Sequence, residues 1–331
     1  MTLQNAQLQL DDTQDLASEI IIKAAQEITG RLGTGSQVTR KDINAIFETL
    51  TGSSDATDGW SVKMTGCAIE LAELIWLREH SGISLNSDFA EVDKCFMALE
   101  QVLPPQHNRH DDQIALQQFS TPTRLAWAMA LAAGISRDDI VLEPSAGTGI
   151  LAIWPHLVGA KLILNEIDDL RSACLSELFP GAVLSSHDGE LINELLPSRH
   201  NPNLVLMNPP FACSAERGKD GRSALRHLRS AWRRMAVGGR LVAIMPEGFS
   251  AAKFAKSEPA PCALRLDVRI IRSFTRRGTG ITVRLVVIDK IAAEQCAAPI
   301  DIADFEGLYD ACCALPERAA SKSTAQTSRP K

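Results

Sequence analysis

Apolar side chains recur at helical spacing through the first hundred residues. The stripe from Leu16 to Ile28 predicts a first helix that ends at Gly30. The same spacing predicts three further helices, at residues 43–50, 64–78 and 89–103. The pair Pro104 and Pro105 follows and is typical of a linker. We therefore expect a helical N-terminal region over residues 1–105.

From about residue 110 the pattern changes to short apolar runs that alternate with amphipathic stretches. This alternation predicts a doubly wound α/β domain with a mainly parallel sheet over residues 110–292. The predicted strands are residues 140–142, 161–164, 183–184, 204–207, 241–245, 265–271 and 283–288. The predicted helices are residues 123–133, 149–157, 170–178 and 224–235. Residues 293–331 form a C-terminal extension whose Ala/Ser/Thr/Lys-rich end we expect to be disordered.

Composition narrows the class of protein. Of the 331 residues, 45% are apolar and 22% are charged, which is typical of a soluble globular protein. No apolar run is long enough for a membrane span, and the polar, acidic start is unlike a secretory signal, so we expect a cytoplasmic protein. The eight cysteines show no CxxC spacing, and we expect no zinc or other metal site.

Charge is distributed unevenly along the chain. The net charge of −6 argues against a nucleic-acid partner, but residues 211–290 hold 17 of the 34 Lys and Arg residues and only 6 Asp and Glu residues. A solvated surface would account for such a block. A basic face beside a catalytic site would instead attract a polyanion such as DNA. The candidate phosphate contacts are Arg217, Arg222, Arg226, Arg229 and Arg233.

The sequence Asn208-Pro209-Pro210-Phe211 directly follows the predicted strand 204–207. Neither proline can donate a ladder hydrogen bond, so the strand ends there, and Asn208 lies on a stiff turn. Open α/β sheets bind ligands at such carboxyl ends. An amide followed by an aromatic ring can hold a planar amino group and stack the ring that carries it. An ordinary proline turn would give the same pattern.

A second motif, EPSAGTG, runs from a predicted strand into a predicted helix. Glycines at such a turn allow a ligand to approach the backbone, with a helix N-terminus behind it. An ordinary strand-to-helix turn is the alternative. The residues that we single out are Glu143, Pro144, Ala146, Gly147 and Gly149.

Two acids follow the next two predicted strands. Glu166 is placed to accept hydrogen bonds from two ribose hydroxyls, although Asp168 and Asp169 compete for that role and a solvated loop acid is the alternative. Asp188 could accept from the exocyclic amino group of an adenine, or belong to an Asp-Gly turn. Upstream, Thr121 and Pro122 precede a predicted helix, where Thr121 or its neighbour could be a cap.

Together these motifs resemble the class I S-adenosylmethionine-dependent methyltransferases, and more narrowly the adenine-N6 DNA methyltransferases. The order of FSTPTRLA, EPSAGTG and NPPF is that of the gamma-type enzymes. The stretch FTRRGTGITVR is similar to the methylase part of strawberry-notch-type plasmid and phage helicase proteins. The resemblance covers residues 110–290 and implies a Rossmann-like seven-stranded sheet that binds S-adenosylmethionine.

The resemblance also implies roles for the motif residues. Gly147 and Gly149 lie under the cofactor, Glu166 binds its ribose and Asp188 its adenine. Thr121 and Pro122 close over the methionine end. Catalysis depends on the NPPF turn, whose acceptors hold the target amino group while its aromatic ring stacks on the base. These catalytic residues are Asn208, Pro209, Pro210 and Phe211.

The chain also departs from that pattern. About 40 residues follow the last predicted strand, too few for a separate target-recognition domain, and the sequence has no helicase motifs. The chain could therefore be a stand-alone or truncated methylase unit, with a helicase or specificity partner. Methyltransferases that act on ribosomal RNA or on a protein glutamine also use an Asn-Pro-Pro turn and remain alternatives. A non-catalytic methylase-fold module of a DNA-processing complex is a further alternative.

Overall fold

The computed structural model describes residues 3–54, 57, 59–104, 120–211, 213–214, 218–270, 281–292 and 297–318. Its first part consists of four helices: α1 (Leu3–Gly33), α2 (Arg40–Thr51), α3 (Val62–Glu79) and α4 (Phe89–Val102). The prediction that Gly30 ends the first helix was wrong. One glycine costs a helix only about 1 kcal/mol, and the buried stripe continues past it to Leu32.

The second part is built on an eight-stranded sheet. The strands are β1 (Ile140–Glu143), β2 (Lys161–Asn165), β3 (Val183–Ser185), β4 (Leu204–Met207), β7 (Arg240–Pro246), β8 (Ala263–Ile270), β9 (Val283–Asp289) and β10 (Ile300–Ile302). They follow the order β10–β8–β9–β7–β4–β1–β2–β3, and β9 runs antiparallel to both of its neighbours. A separate two-stranded ribbon joins β5 (Cys213–Ser214) to β6 (Gly218–Lys219).

Helices cover the sheet and connect its strands. They are α5 (Thr123–Ala133), α6 (Ile153–Val158), α7 (Asp169–Leu178), α8 (Ile192–Leu195), α9 (Ser223–Arg234), α10 (Ala251–Ser257) and α11 (Phe305–Cys313). The helix predicted from Gly149 begins only at Ile153, because Gly149 has a φ of +100° and the residues after it form turns. The strand order reverses between β1 and β4, which is the position where doubly wound sheets bind ligands.

The C-terminal segment extends the predicted seven-stranded sheet. Strand β10 pairs in parallel with β8 at the sheet edge and makes the eighth strand. Helix α11 then packs against α5, where the ring of Tyr309 stacks on that of Trp127 at a centroid distance of 5.7 Å. The sequence pattern missed β10, because this strand is only three residues long and mostly exposed.

Two apolar clusters lie on the two faces of the sheet. One is formed with α9 and α10 and contains Trp232 and Phe254. The other includes the buried faces of the N-terminal helices together with α5 and α7, so the helical region and the sheet share one core. The domain boundaries at residues 105 and 292 remain a prediction, because residues 105–119 and 293–296 lie outside the described residues.

Candidate functional site

The carboxyl ends of β1, β2, β3 and β4 surround one pocket. Parallel strands place these ends at one edge of the sheet, so residues distant in sequence meet there. The pocket is lined by Ser120, Thr121, Glu143, Pro144, Ser145, Ala146, Gly147, Thr148, Ile150, Asn165, Glu166, Ile167, Arg171, His187, Asp188, Gly189, Asn208, Pro209, Pro210, Phe211, His227 and Ile281. Both motifs that the sequence singled out therefore contribute to one cavity.

The NPPF turn forms one wall of this pocket. Strand β4 is buried along its whole length and delivers Asn208 to the cavity. The Asn208 Nδ2 donates a hydrogen bond of 3.1 Å to the Thr121 Oγ1, and Thr121 is itself buried. This contact joins the upstream motif to the NPPF turn across 87 residues and directs Oδ1 of the same amide away from Thr121. Phe211 packs partly against both apolar clusters.

The glycine turn forms the opposite wall. Gly147 has a φ of +58°, and its N–H donates to the Glu166 Oε2 at 2.7 Å. Gly149 faces elsewhere: a Cβ there would lie 2.4 Å from the ring of Phe179, so close packing on α7 requires glycine. Neither Gly149 nor Pro122 is among the residues that line the pocket. Pro122 instead directly precedes α5 as its N-cap residue.

Glu143 ends β1 beneath the glycine turn and is 2% exposed. Its Oε2 is buried and has no hydrogen-bond partner among the described residues. Burial, together with the nearby Glu166 carboxylate, raises the pKa of Glu143 well above its ordinary value. A buried carboxyl with an open oxygen in a pocket is suited to a cationic ligand group, which would favour its ionised form.

Glu166 holds the turn in place. Its carboxylate accepts from the backbone N–H of Gly147 and, at 2.9 Å, from that of Asp168. Burial raises the pKa of Glu166, an effect that the charge of Arg171 opposes. Asp168, a competitor for the ribose role, caps α7 by accepting from the Arg171 N–H and pairs with Lys63. The geometry therefore favours Glu166 over Asp168 as the pocket acid.

Asp188 lies beside the third strand end and is half-buried. Its Oδ1 accepts from the Glu190 N–H at 2.9 Å, so it caps the short turn that follows and also lines the pocket. Asn165, which the sequence analysis did not single out, donates through Nδ2 to the carbonyls of Pro144 and His187. Asn165 thereby holds the ends of β1, β2 and β3 together around the cavity.

Helix α3 of the N-terminal region reaches the site. The buried Glu70 accepts from the Thr148 Oγ1 at 2.8 Å and from the Ser120 Oγ. Its two oxygens therefore join the glycine turn to the segment that carries Thr121. Two further polar contacts from α3 are those of Lys63 with Asp168 and of Glu73 with Thr123.

Besides Asn165, two further buried polar residues of the pocket were missed by the sequence analysis. Arg171 lies in the first turn of α7 and is 4% exposed. His227 lies on the buried face of α9, where its Nδ1 is 3.0 Å from the Ser223 carbonyl oxygen and burial lowers its pKa. His227 occupies the apolar phase of that helix, which was a usable signal. Arg171 is a charged residue in a short helix, and the sequence gave no comparable signal for it.

The predicted phosphate-binding arginines of α9 have different environments. Arg226 forms an ion pair of 2.7 Å with Glu190 and one of 2.9 Å with Asp220. Arg229 pairs with the buried Glu258 at 2.9 Å. Two of the candidate phosphate contacts therefore already pair with carboxylates, which a local count of charges does not reveal.

Arg222 and Arg233 are exposed. They retain the surface position expected of phosphate contacts. Arg217 and the stretch FTRRGTG lie within segments whose side chains fall outside the described residues.

No cluster of His, Cys, Asp and Glu in the described part of the chain could hold a metal ion. Among the same residues, no helix is both long and apolar enough to cross a membrane. The pocket combines buried carboxyl groups, a backbone that can lie close to a ligand, and an amide beside an aromatic ring. These features fit a cationic, nucleoside-containing ligand next to a planar amino group.

No family model matches the chain. A curated relative, the type II restriction enzyme and methyltransferase RM.BcgI of Heyndrickxia coagulans, is 26% identical over 153 residues, or 40% of this chain. The chain spans only 24% of the length of that relative.

Two solved structures from Streptococcus thermophilus are also similar. The type I restriction-modification system methyltransferase subunit is 13% identical with a TM-score of 0.42, covering 84% of this chain and 78% of that one. An rRNA methylase is 16% identical with a TM-score of 0.36, covering 50% and 93%. The strand order of the chain itself, rather than these likenesses, defines its fold.

Proposed function

We propose that the protein transfers a methyl group from S-adenosylmethionine to the N6 amino group of adenine in DNA. One observation carries this proposal: Asn208, at the carboxyl end of β4, shares a pocket with the glycine turn and its buried acids. The similarity to a restriction enzyme and methyltransferase supports DNA as the substrate.

The pocket residues fit this cofactor. The open Oε2 of Glu143 suits the α-ammonium of the methionine group, since a buried carboxylate requires a partner. Glu166, already positioned by two backbone N–H groups, retains acceptor capacity for ribose hydroxyls, and Asp188 can accept from the adenine amino group. Gly147 allows close approach to the backbone.

The NPPF turn would supply the acceptors for the target base. The Asn208 Oδ1 and the Pro209 carbonyl accept the two N6 hydrogens, which draws the nitrogen lone pair out of conjugation with the ring. S-adenosylmethionine would supply an activated methyl group, since its carbon–sulfonium bond breaks to leave a neutral thioether as N6 takes the methyl group and gives up one proton to solvent. Extruding the adenine from the duplex costs a few kcal/mol, and stacking on Phe211 returns about 1–3 kcal/mol. Thr121 holds the Asn208 amide in its orientation.

Contact with DNA would depend on cations that remain exposed. Arg222 and Arg233 are exposed on or beside α9, whereas Arg226 and Arg229 already pair with carboxylates. Arg222 directly precedes the half of α9 that carries the pocket residue His227, whereas Arg233 lies at the other end of that helix, where Lys290 reaches its carbonyl. We expect a phosphate contact from Arg222, and a partner subunit or helicase for sequence recognition, since one arginine provides weak positioning and no base readout.

The proposal is tested with labelled S-adenosylmethionine and separate DNA, RNA and protein substrates. We expect label in DNA, recovered as N6-methyladenine after digestion to nucleosides. Asn208→Ala removes one preorganised acceptor and should lower turnover on the order of 100-fold, with cofactor affinity retained in calorimetry. Label confined to RNA or protein, or normal DNA methylation by the Asn208→Ala variant, would contradict the proposal.

A further inference from the structure

Arg171 is a buried guanidinium within the pocket and has no role in the proposed function so far. It is 4% exposed, and its Nε is buried without a hydrogen-bond partner among the described residues. Buried arginines ordinarily use their donors, because an unmet charged donor in the interior costs free energy. Arg171 also lines the pocket, so its unmet donor indicates an acceptor on a ligand.

The surroundings keep Arg171 charged. Burial favours the neutral form, but the charges of Glu70, Glu166 and Asp168 near the guanidinium raise the pKa of Arg171 overall. Glu70 approaches from α3, where it also binds the glycine turn through Thr148. The N-terminal helices thus supply part of the electrostatic support for this cation.

Arg171 also lies next to the glycine turn. A Cβ built on Gly147 would be 3.8 Å from the Arg171 Nη1, so the guanidinium is adjacent to the backbone that we expect a ligand to approach. Glu143, at the base of the same turn, has an open oxygen. The pocket therefore holds the buried carboxyl group of Glu143 and the buried guanidinium of Arg171, and each has one atom without a hydrogen-bond partner among the described residues. Such a pair complements the ammonium and the carboxylate of a free α-amino acid group.

We propose that Arg171 is a cofactor-binding residue that takes the carboxylate of the methionine group of S-adenosylmethionine, with Glu70 of α3 as its positioning residue. This inference rests on the proposed use of that cofactor. The carboxylate completes the donors of Arg171, while Glu143 takes the ammonium. A guanidinium suits this task because it forms charge-assisted, bidentate bonds with carboxylates.

The competing explanation is that Arg171 only neutralises the three neighbouring carboxylates. In that case its loss would disturb the pocket as a whole and would weaken every adenosyl ligand alike. A pair of ligands that differ only in the carboxylate separates the two explanations. S-adenosylmethionine and decarboxylated S-adenosylmethionine are such a pair.

Isothermal titration calorimetry on the full chain provides the test. We expect the wild-type protein to bind S-adenosylmethionine about 10- to 100-fold more tightly than the decarboxylated ligand. Arg171→Gln should remove that preference by weakening only the ligand with the carboxylate, and Arg171→Lys should restore part of it. Arg78→Gln is the control, since Arg78 donates to the Leu178 carbonyl outside the pocket lining.

Equal wild-type affinity for the two ligands would overturn the inference, even if the Arg171 variants did not fold. So would an equal loss for both ligands in the Arg171→Gln variant. Failure of the wild-type protein to bind either ligand would instead overturn the proposed function, and the inference with it. A Glu70→Gln variant that selectively weakens the carboxylate-bearing ligand, while it unfolds at the wild-type temperature, would support the positioning role.

Discussion

The two ends of the sheet both bury charged side chains, but Arg240 at one end is satisfied internally, whereas two side chains of the pocket at the other end are not. At the amino end of β7, the buried Arg240 donates to both carboxylate oxygens of Asp289, at 2.7 and 3.1 Å, and to the carbonyls of Ala132 and Pro316. At the carboxyl end, Glu143 and Arg171 each retain a buried atom without a partner among the described residues. Paired burial indicates stability, whereas unpaired burial beside a cavity indicates a ligand.

Contacts at the amino end of β7 also account for several cations of the basic block at residues 211–290. Besides Arg240, the block includes Arg265, which shares Asp289, and Lys290, which donates to the Trp232 and Met235 carbonyls. These cations join strand ends, helix ends and loops rather than forming a continuous surface. A count of positive residues along the chain therefore overstates the field available to DNA.

The largest expected effect is on stability, from Arg240→Met. The change leaves Asp289 buried with Arg265 as its remaining cation among these contacts, and it removes a donor from two backbone carbonyls. Breaking a buried ion pair in this way costs about 3–5 kcal/mol. We expect a lower urea midpoint, with the affinity for S-adenosylmethionine unchanged under conditions where the variant is folded. If the urea midpoint of the Arg240→Met variant equalled that of the wild type, ion pairing at the amino end of β7 would contribute little to stability.

The next largest effect is expected at the open end, from Glu143→Gln. This change removes a buried carboxyl that lacks a partner, so the ligand-free protein should be as stable as wild type or more so. The affinity for S-adenosylmethionine should fall about 10- to 100-fold, because the ammonium loses its counter-charge. Calorimetry and urea unfolding measure the two effects. Glu177→Gln, an exposed acid on α7, is the control.

The Glu143→Gln variant also tests how cofactor affinity and stability depend on pH. The pKa of Glu143 is raised in the folded protein, so its proton must leave before an ammonium can pair with it. Wild-type affinity should therefore increase as pH rises through that raised pKa. For the ligand-free protein the sign is opposite: stability from the bound proton is fully present below the unfolded pKa and is lost as pH rises through the folded one. The pH dependence of the affinity and the pH dependence of the stability should both be weaker in the Glu143→Gln variant.

The comparison also shows what sequence patterns can and cannot predict. The strand ends that carry Asn208, Gly147, Glu166 and Asp188 were predictable, because short apolar runs followed by Pro or Gly are local signals. Their convergence on one pocket follows from parallel pairing and appears in the structure. The roles of these residues remain predictions.

Long-range partners were not predictable. Glu70 lies 78 positions from Thr148 and occurs in a helix, where an acid is usually solvated. Arg226 and Arg229 appeared equivalent to Arg233 by spacing, yet only tertiary contacts pair the first two with carboxylates. Gly149 was assigned to ligand approach, although the ring of Phe179 explains its conformation. Tertiary packing determines each of these contacts, and the periodicity of apolar residues in helices and strands does not encode them.

The smallest effect is expected from Arg269→Ala, which removes a charge pair that is neither buried nor near the pocket. Arg269 forms bonds of 2.8 and 2.7 Å with Asp301, its register partner on β10, and these contacts raise the pKa of Arg269 and lower that of Asp301. Water and salt screen such exposed pairs, and ordering two long side chains offsets what attraction remains. We expect no measurable change in the urea midpoint at physiological salt. A loss as large as that of Arg240→Met would mean that ion-pair geometry, and not burial, determines stability here, and the contrast between the two ends of the sheet would lose its physical basis.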